Sequence, residues 1–267
     1  MNQAFPRRIF AVSDIHTDYD ENRRWLLNLS RWDYTDDVLL LGGDVSDLPH
    51  LMEEALRELA RRFHQVLFVP GNHDLWLVRS KEEGDSLQKW ARLRLLAEEC
   101  GVSTRPWRMA GLQIVPLLSW YDWSFGQPSE RLMQAWADFV ACRWPHELTQ
   151  PAALTQYFHA QNLPHLHSEA PSVISFSHFM PRLDLFPAAV PPQRRFILPV
   201  LGSSALDAQI RQLGSRLHVY GHSHLNRCEL RDGVRYINNA YAYPNEAQIA
   251  AKRLLCLDPW LDGNGPD

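Results

Sequence analysis

A chain of 267 residues is long enough to bury a sizeable core, as one large α/β domain or two small ones. An apolar fraction of 45% and a charged fraction of 22% are ordinary for a soluble globular protein, and a net charge of −4 supplies no polybasic field for nucleic acid or an anionic membrane. Twelve histidines is high for this length, and their placement carries most of the functional signal.

The opening MNQAFPRRIFAVSDIH enters a strand pattern almost at once, with no apolar leader or cleavage site. No stretch reaches the roughly 20 apolar residues of a membrane span. The four cysteines, Cys100, Cys142, Cys228 and Cys256, form no C-x-x-C pair and read as reduced thiols, so the expected compartment is the cytoplasm. RIFAVSD (8–14) reads as a buried strand, and residues 21–32 carry apolar side chains at helical spacing. DVLLLGGD (37–44) is a second strand ending in glycines. Residues 48–63 form an amphipathic helix with Pro49 in its first turn. QVLFVPGNHD (65–74) is a third strand and turn, followed by a helix over 86–101 that stops at Gly101.

GLQIVPLLSW (111–120) begins a different texture, rich in proline and aromatics, with helix-like pieces at 129–142 and 151–162. Further strands lie at 172–178, 216–222, 227–233 and 234–240, the last two joined by an Asp232-Gly233 turn. A helix fits 204–214 with Ser204 as its cap, and the tail 262–267 reads as frayed. Strands alternating with helices indicate βαβ units and a largely parallel sheet.

The polar exceptions sit at the ends of these strands. Asp14 and His16 follow the first, Asp44 and Asp47 the second, and Asn72, His73 and Asp74 the third. His178 follows SVISFS, and His222 and His224 follow LHVYG. Loops at the carboxyl ends of parallel strands converge on one crevice, so five segments deliver Asp, Asn and His to one place. Carboxylate, amide oxygen and imidazole suit Mn, Fe or Zn, with Mn favoured here. No cysteine takes part, which argues against a structural zinc site. The ligands are too many for one ion and suit two sharing a carboxylate, a device for in-line displacement at phosphorus.

In order along the chain, SDIH, GGDVSD, GNHD, SH and GHSH resemble the calcineurin-like metallophosphoesterase family over about residues 8–240. The resemblance implies a four-layer α-β-β-α sandwich, two mixed sheets flanked by helices. It implies that Asp14, His16 and His224 hold one metal, that Asn72, His178 and His222 hold the other, and that Asp44 bridges. His73 would touch the substrate and protonate the leaving oxygen. Gly221 would permit the tight backbone approach between the ligand loops.

Departures from the family pattern narrow the reading. Asp47 stands where purple acid phosphatases have a tyrosine ligand. In protein Ser/Thr phosphatases that position is an aspartate orienting the catalytic histidine, so Asp47 either holds His73 or caps the helix starting near Leu48-Pro49. Leu48 and Pro49 replace the arginine and glycine of the protein-phosphatase signature, which disfavours that activity. Asp74 replaces a common glutamate and alters only the support around the ligands.

His50, His64, His146, His159, His165 and His167 read as surface residues and His218 as packing in its strand. Arg182 reads as a solvated arginine, with a phosphate contact as the sharper alternative. Five of the ten tryptophans (Trp107, Trp120, Trp123, Trp136, Trp144) fall within 107–144, as a satellite core or an aromatic wall beside the metals. The expected organisation is one domain over 1–267 with a Trp-rich insertion or lid at about 107–170. The leading function is hydrolysis of a phosphate ester or pyrophosphate bond in a small molecule, a nucleotide or an organic phosphate. Behind it stand a phosphodiesterase or nuclease, which needs a basic groove, and a non-catalytic scaffold, which has no need of every ligand. No nucleic-acid or membrane partner is expected, and oligomeric state stays open.

Overall fold

In the computed structural model, which describes residues 8–109, 111–261 and 265, the first apolar run becomes β1 (Ile9–Val12) and sends alternate side chains to two different cores. Next along the chain are α1 (Asp20–Leu27), β2 (Val38–Leu41), α2 (Pro49–Ala60), β3 (Gln65–Phe68), α3 (Ser86–Glu99), β4 (Val102–Ser103), β5 (Trp107–Met109) and β6 (Leu112–Pro116). Then come α4 (Glu130–Ala135), α5 (Asp138–Ala141), α6 (Pro151–Asn162), β7 (Ser172–Phe176), α7 (Ser204–Leu213), β8 (Leu217–Tyr220), β9 (Arg227–Arg231), β10 (Val234–Asn238), β11 (Leu255–Cys256) and α8 (Asp258–Leu261). The frayed tail expected at 262–267 lies outside the described residues, Gly265 apart.

One sheet has the order β11-β1-β2-β3-β4 and the other β5-β6-β7-β8-β10-β9. Both have parallel centres: β1-β2-β3-β4 and β6-β7-β8-β10 run parallel, while the edge strands β11, β5 and β9 run against their neighbours. Ile9, Ala11, Val38, Leu40 and Leu67 from the first sheet meet Ile114, Ile174, Phe176, Val219 and Ile237 from the second. The alternate residues Phe10, Val12, Leu39 and Leu41 face outward against Leu26 of α1, Met52 and Leu56 of α2 and Trp90 of α3. On the far side, Val115, Val173, Tyr220 and Tyr236 pack on Leu206, Ile210 and Leu213 of α7. Each large apolar side chain so buried contributes about 1.5–3 kcal/mol. The result is four layers, α-β-β-α, with β1 and β2 buried on both faces and therefore apolar throughout.

Several local expectations shift. α1 ends at Leu27, and the 129–142 piece breaks into α4 and α5 around an extended Trp136. Ser203, one residue before the expected Ser204, caps α7 by accepting from the Ala205 N–H, and Gly214 ends that helix at φ 74°. His218 does pack in β8, its two ring nitrogens bonded to the Ser175 and Ser177 hydroxyls at 2.8 and 3.0 Å. His159 is not a surface residue: it is buried in α6, and burial pulls its pKa down to about 4.

Candidate metal centre

The carboxyl ends of β1, β2 and β3 in one sheet and of β7 and β8 in the other meet along a single edge of the sandwich. Backbone bonds sew the loops together: Asp14 N–H to Gly43 O (2.8 Å), His16 N–H to Asp44 O (3.0 Å) and Gly221 N–H to His178 O (2.8 Å). Five residues there, Asp14, His16, Asp44, His222 and His224, hold left-handed φ angles between 46° and 64°. That conformation costs a non-glycine residue about 1–2 kcal/mol, and such strain gathers where side chains must be aimed. The neighbouring glycines make the crowding possible. A Cβ on Gly71 would lie 2.1 Å from Asp44 Oδ1, and one on Gly221 would lie 2.5 Å from Asp14 Oδ2. Buried Asp74 clamps the turns by accepting four backbone N–H groups, from Gly71, Asp44, Val45 and Ser46, at 2.8–3.1 Å. A shorter acid than glutamate suits that reach.

The seven candidate ligands Asp14, His16, Asp44, Asn72, His178, His222 and His224 are all buried and all come together. Their hydrogen bonds fix which atoms look inward. His178 spends Nδ1 on Gly42 O (2.8 Å), and His222 spends Nε2 on Val200 O (3.0 Å). A carbonyl only accepts, so both protons sit there and the other nitrogens are bare. Those bare nitrogens, His178 Nε2 and His222 Nδ1, stand 3.1 Å apart. Asn72 gives its amide N–H to Asp138 Oδ1 (2.8 Å), which turns Asn72 Oδ1 to within 3.1 Å of His178 Nε2. Asp44 Oδ2 completes the group at 3.5 Å from His178 Nε2. Three bare acceptors, His178 Nε2, His222 Nδ1 and Asn72 Oδ1, converge beside the Asp44 carboxyl, an arrangement that a cation satisfies.

Beside it, His224 Nε2 lies 3.2 Å from Asp14 Oδ1 and 3.3 Å from His16 Nε2, while Glu246 takes His224 Nδ1 at 2.6 Å. A carboxylate behind a ligating imidazole is the usual means of orienting it. Electrostatics point the same way. Burial, followed by the Asp14 and Asp74 charges, pushes Asp44 well above the carboxylate range. Burial holds His16, His178 and His222 low and neutral, the ligating form. For His224 burial is outweighed by Asp14 and Glu246, which hold it up at about 9. A proton gathers where a metal cation would compete for the same lone pair. The donor set thus fits two divalent ions, with Asp44 facing both clusters.

His73 faces the opening. Its ring stacks on Trp76 at 3.6 Å, its Nε2 lies 3.4 Å from the Tyr243 hydroxyl and 3.9 Å from Asp44 Oδ2, and its backbone N–H binds Asp44 Oδ1. Burial, with His178 and His224 adding to it, pulls His73 down to about 3. Asp47 does neither thing expected of it. Its carboxylate pairs with Arg79, which also reaches Asp18 at 3.3 Å, and the cap position of α2 is Leu48 with no side-chain bond. A nearby guanidinium offers a buried carboxylate more than a neutral imidazole can. Arg182 is committed to Asp184, Asp207 and Asp232.

A cavity of about 300 Å³ opens over the ligands, walled by Trp76, Trp136, Ile197 and Tyr243. Of the five clustered tryptophans only Trp136 reaches it. Trp120 and Trp144 pack together in the core, and Trp107 packs against the residues between the sheets. Sequence reasoning missed Trp76, Asp138, Tyr243 and Glu246. Of these, Trp76 alone carried a signal, lying two residues beyond GNHD.

The fold and site together place this chain in the calcineurin-like phosphoesterase family, whose sequence model matches residues 7–226. It is a metallophosphoesterase, a hydrolase of a dinuclear metal family, with His and Asp groups able to hold metal ions. Among curated proteins it is 30% identical over 268 residues to the [acyl-carrier-protein] phosphodiesterase PptH of Mycobacterium tuberculosis, covering 89% of this chain and 78% of that one. The crystal structure of the phosphopantetheinyl hydrolase PptH from the same organism superposes with a TM-score of 0.78 at 26% identity, over 94% of this chain and 96% of that one. Among the described residues no helix is long and apolar enough to cross a membrane.

Proposed function

We propose that this chain hydrolyses the phosphodiester joining a phosphopantetheinyl arm to an acyl carrier protein. The observation that carries the reading is the likeness to a protein of that activity along nearly the whole chain, at 30% identity over 89% of it. It moves the preferred substrate from a phosphate ester or pyrophosphate in a small molecule to a diester on a protein. The site is compatible: the cavity is open, with aromatic walls beside an acceptor-rich floor, room for a phosphodiester with an organic arm.

In this reading Asp14, His16 and His224 would hold one ion, Asn72, His178 and His222 the second, and Asp44 would serve both; nitrogen and oxygen ligands without thiolate suit Mn, Fe or Zn, and we take manganese as the test ion. Such a pair, when bound, clamps phosphoryl oxygens and makes hydroxide available near neutral pH. The protein's own groups do the remainder. Trp76 and Tyr243 fix the His73 ring at the mouth, where it offers its N–H to the departing alkoxide oxygen of the carrier protein. The substrate's negative charge raises the proton affinity of His73 in the complex. Of the insertion expected at about 107–170, residues 107–116 are instead β5 and β6 of the second sheet, and the part that follows acts as an insertion in a single domain, supplying Trp136 as a wall.

Incubating the Mn-loaded protein with a holo acyl carrier protein and weighing the product tests this. Loss of the phosphopantetheinyl mass supports the proposal. An unchanged carrier, with turnover of nucleotide monoesters or oligonucleotides instead, overturns it.

A further inference from the structure

An asparagine amide can be turned either way, and only one way points Asn72 oxygen at His178 and His222. What decides the matter is Asp138, the first residue of α5, whose side chain lies in the floor between the Trp-rich segment and the metal ligands. Its Oδ1 accepts from Asn72 Nδ2 at 2.8 Å and from the Trp76 indole at 2.7 Å, and its Oδ2 accepts from the Trp136 indole at 2.8 Å. An indole N–H can only donate, and a carboxylate flanked by donors can only accept. Asn72 must therefore present its NH2 group to Asp138 and its oxygen to the centre. Asp138 is only 3% exposed, so water is not there to replace a lost partner.

We propose that Asp138 is a positioning residue. It sets the amide orientation of Asn72, and through the same two oxygens it fixes Trp76, on which His73 stacks, and Trp136, the opposite wall. One carboxylate from the insertion thereby couples a metal ligand, the stacked histidine and the cavity shape. This rests on the reading of Asn72 as a ligand, and ion uptake without any substrate separates its failure from a failure of the proposed reaction.

The test is equilibrium dialysis against MnCl2 with elemental analysis. Asp138→Leu keeps roughly the volume and removes both acceptors, so the Asn72 NH2 group loses the partner that turns it away from the centre. One of the two ions is expected to bind about 10–100-fold more weakly, the usual effect of removing a partner behind a metal ligand. The other, at Asp14, His16 and His224, should bind as in the wild type. The exchange Asn72→Asp with Asp138→Asn restores a matched pair, an amide N–H to a carboxylate, and should recover much of the lost affinity. Asn72→Asp alone is the control, because a carboxylate ligand raises affinity by its charge; a purely structural role for Asp138 predicts no gain of the exchange over that control. A folded Asp138→Leu that takes up both ions with wild-type affinity overturns the proposal. Should that variant not fold, the exchange decides: folded with two ions supports it, unfolded or short of the second ion overturns it. A wild type that binds only one ion removes the ligand reading and this proposal together.

Discussion

His178 and His222 turn unprotonated nitrogens toward each other across 3.1 Å, each held in that tautomer by a carbonyl behind it. Two lone pairs at that distance repel unless a cation lies between them. The ion-free protein should therefore be the strained form. Dialysis against a chelator and reloading with Mn should give two ions per chain. At a hundredfold excess over Kd each ion adds about 2.7 kcal/mol. For a chain of this size that is roughly 5–10 °C in Tm per ion. A stoichiometry of one under excess metal would defeat the two-ion reading.

Asp44 should separate ion binding from stability. Burial and the neighbouring Asp14 and Asp74 charges raise its pKa in the folded, ion-free protein. A raised carboxyl binds more protons folded than unfolded, so its contribution is favourable at low pH and is lost as pH rises beyond the ordinary carboxylate range. Asp44→Asn removes that part of the pH dependence, and near neutral pH it should leave the ion-free protein at least as stable as wild type. It should also weaken both ions and lower turnover further than His16→Ala or His222→Ala. Urea midpoints across pH, beside metal content, check both halves. Wild-type metal content and turnover in this variant would show that Asp44 is not shared.

Gly71 should tolerate no side chain. Its Cβ would stand 2.1 Å from Asp44 Oδ1 and 2.6 Å from Asp44 N, with Asp74 already bonded to the Gly71 N–H. Gly71→Ala should displace Asp44 and lose ion uptake. Gly101→Ala is the comparison, since Gly101 has φ 79° but open space around it. That change should cost only about 1–2 kcal/mol for the left-handed backbone and leave metal content untouched. Equal metal content in both variants would remove the steric argument.

How far a signal reaches along the chain decides whether the sequence can show it. β1, β2 and β3 are buried on both faces, so their apolar runs stand out, and the ligands lie within a few residues of strand ends. Two-residue β4 and β11 are too short to carry a period. Asp138, Tyr243 and Glu246 owe their places to contacts between distant segments: Asp138 meets Asn72 from 66 residues away, and Tyr243 meets His73 from 170. No local pattern encodes such a meeting. Asp47 shows the converse, a residue whose motif position suggested one partner while Arg79, 32 residues on, took it.

The expected behaviour of His73 changes accordingly. It is held by the Trp76 ring at 3.6 Å and the Tyr243 hydroxyl at 3.4 Å, and Asp47 is occupied elsewhere. If its N–H serves the departing oxygen, its worth depends on how badly that oxygen needs a proton. General-acid assistance contributes about 10²–10⁴-fold where the leaving group is a poor one. A serine-like alkoxide is such a group, and p-nitrophenolate is not. His73→Ala should keep both ions, lose most activity on alkyl diesters and lose far less on aryl ones. Trp76→Ala should follow the same trend more mildly, since it frees the ring without removing it. Asp47→Asn should leave the trend as in wild type and instead shift the urea midpoint, because Arg79 loses its buried carboxylate partner. The measurement is kcat/KM for all four proteins across leaving groups of graded pKa. A uniform loss for His73→Ala, with metal content intact, would assign His73 to phosphate binding; a graded loss for Asp47→Asn would restore it as the partner of His73.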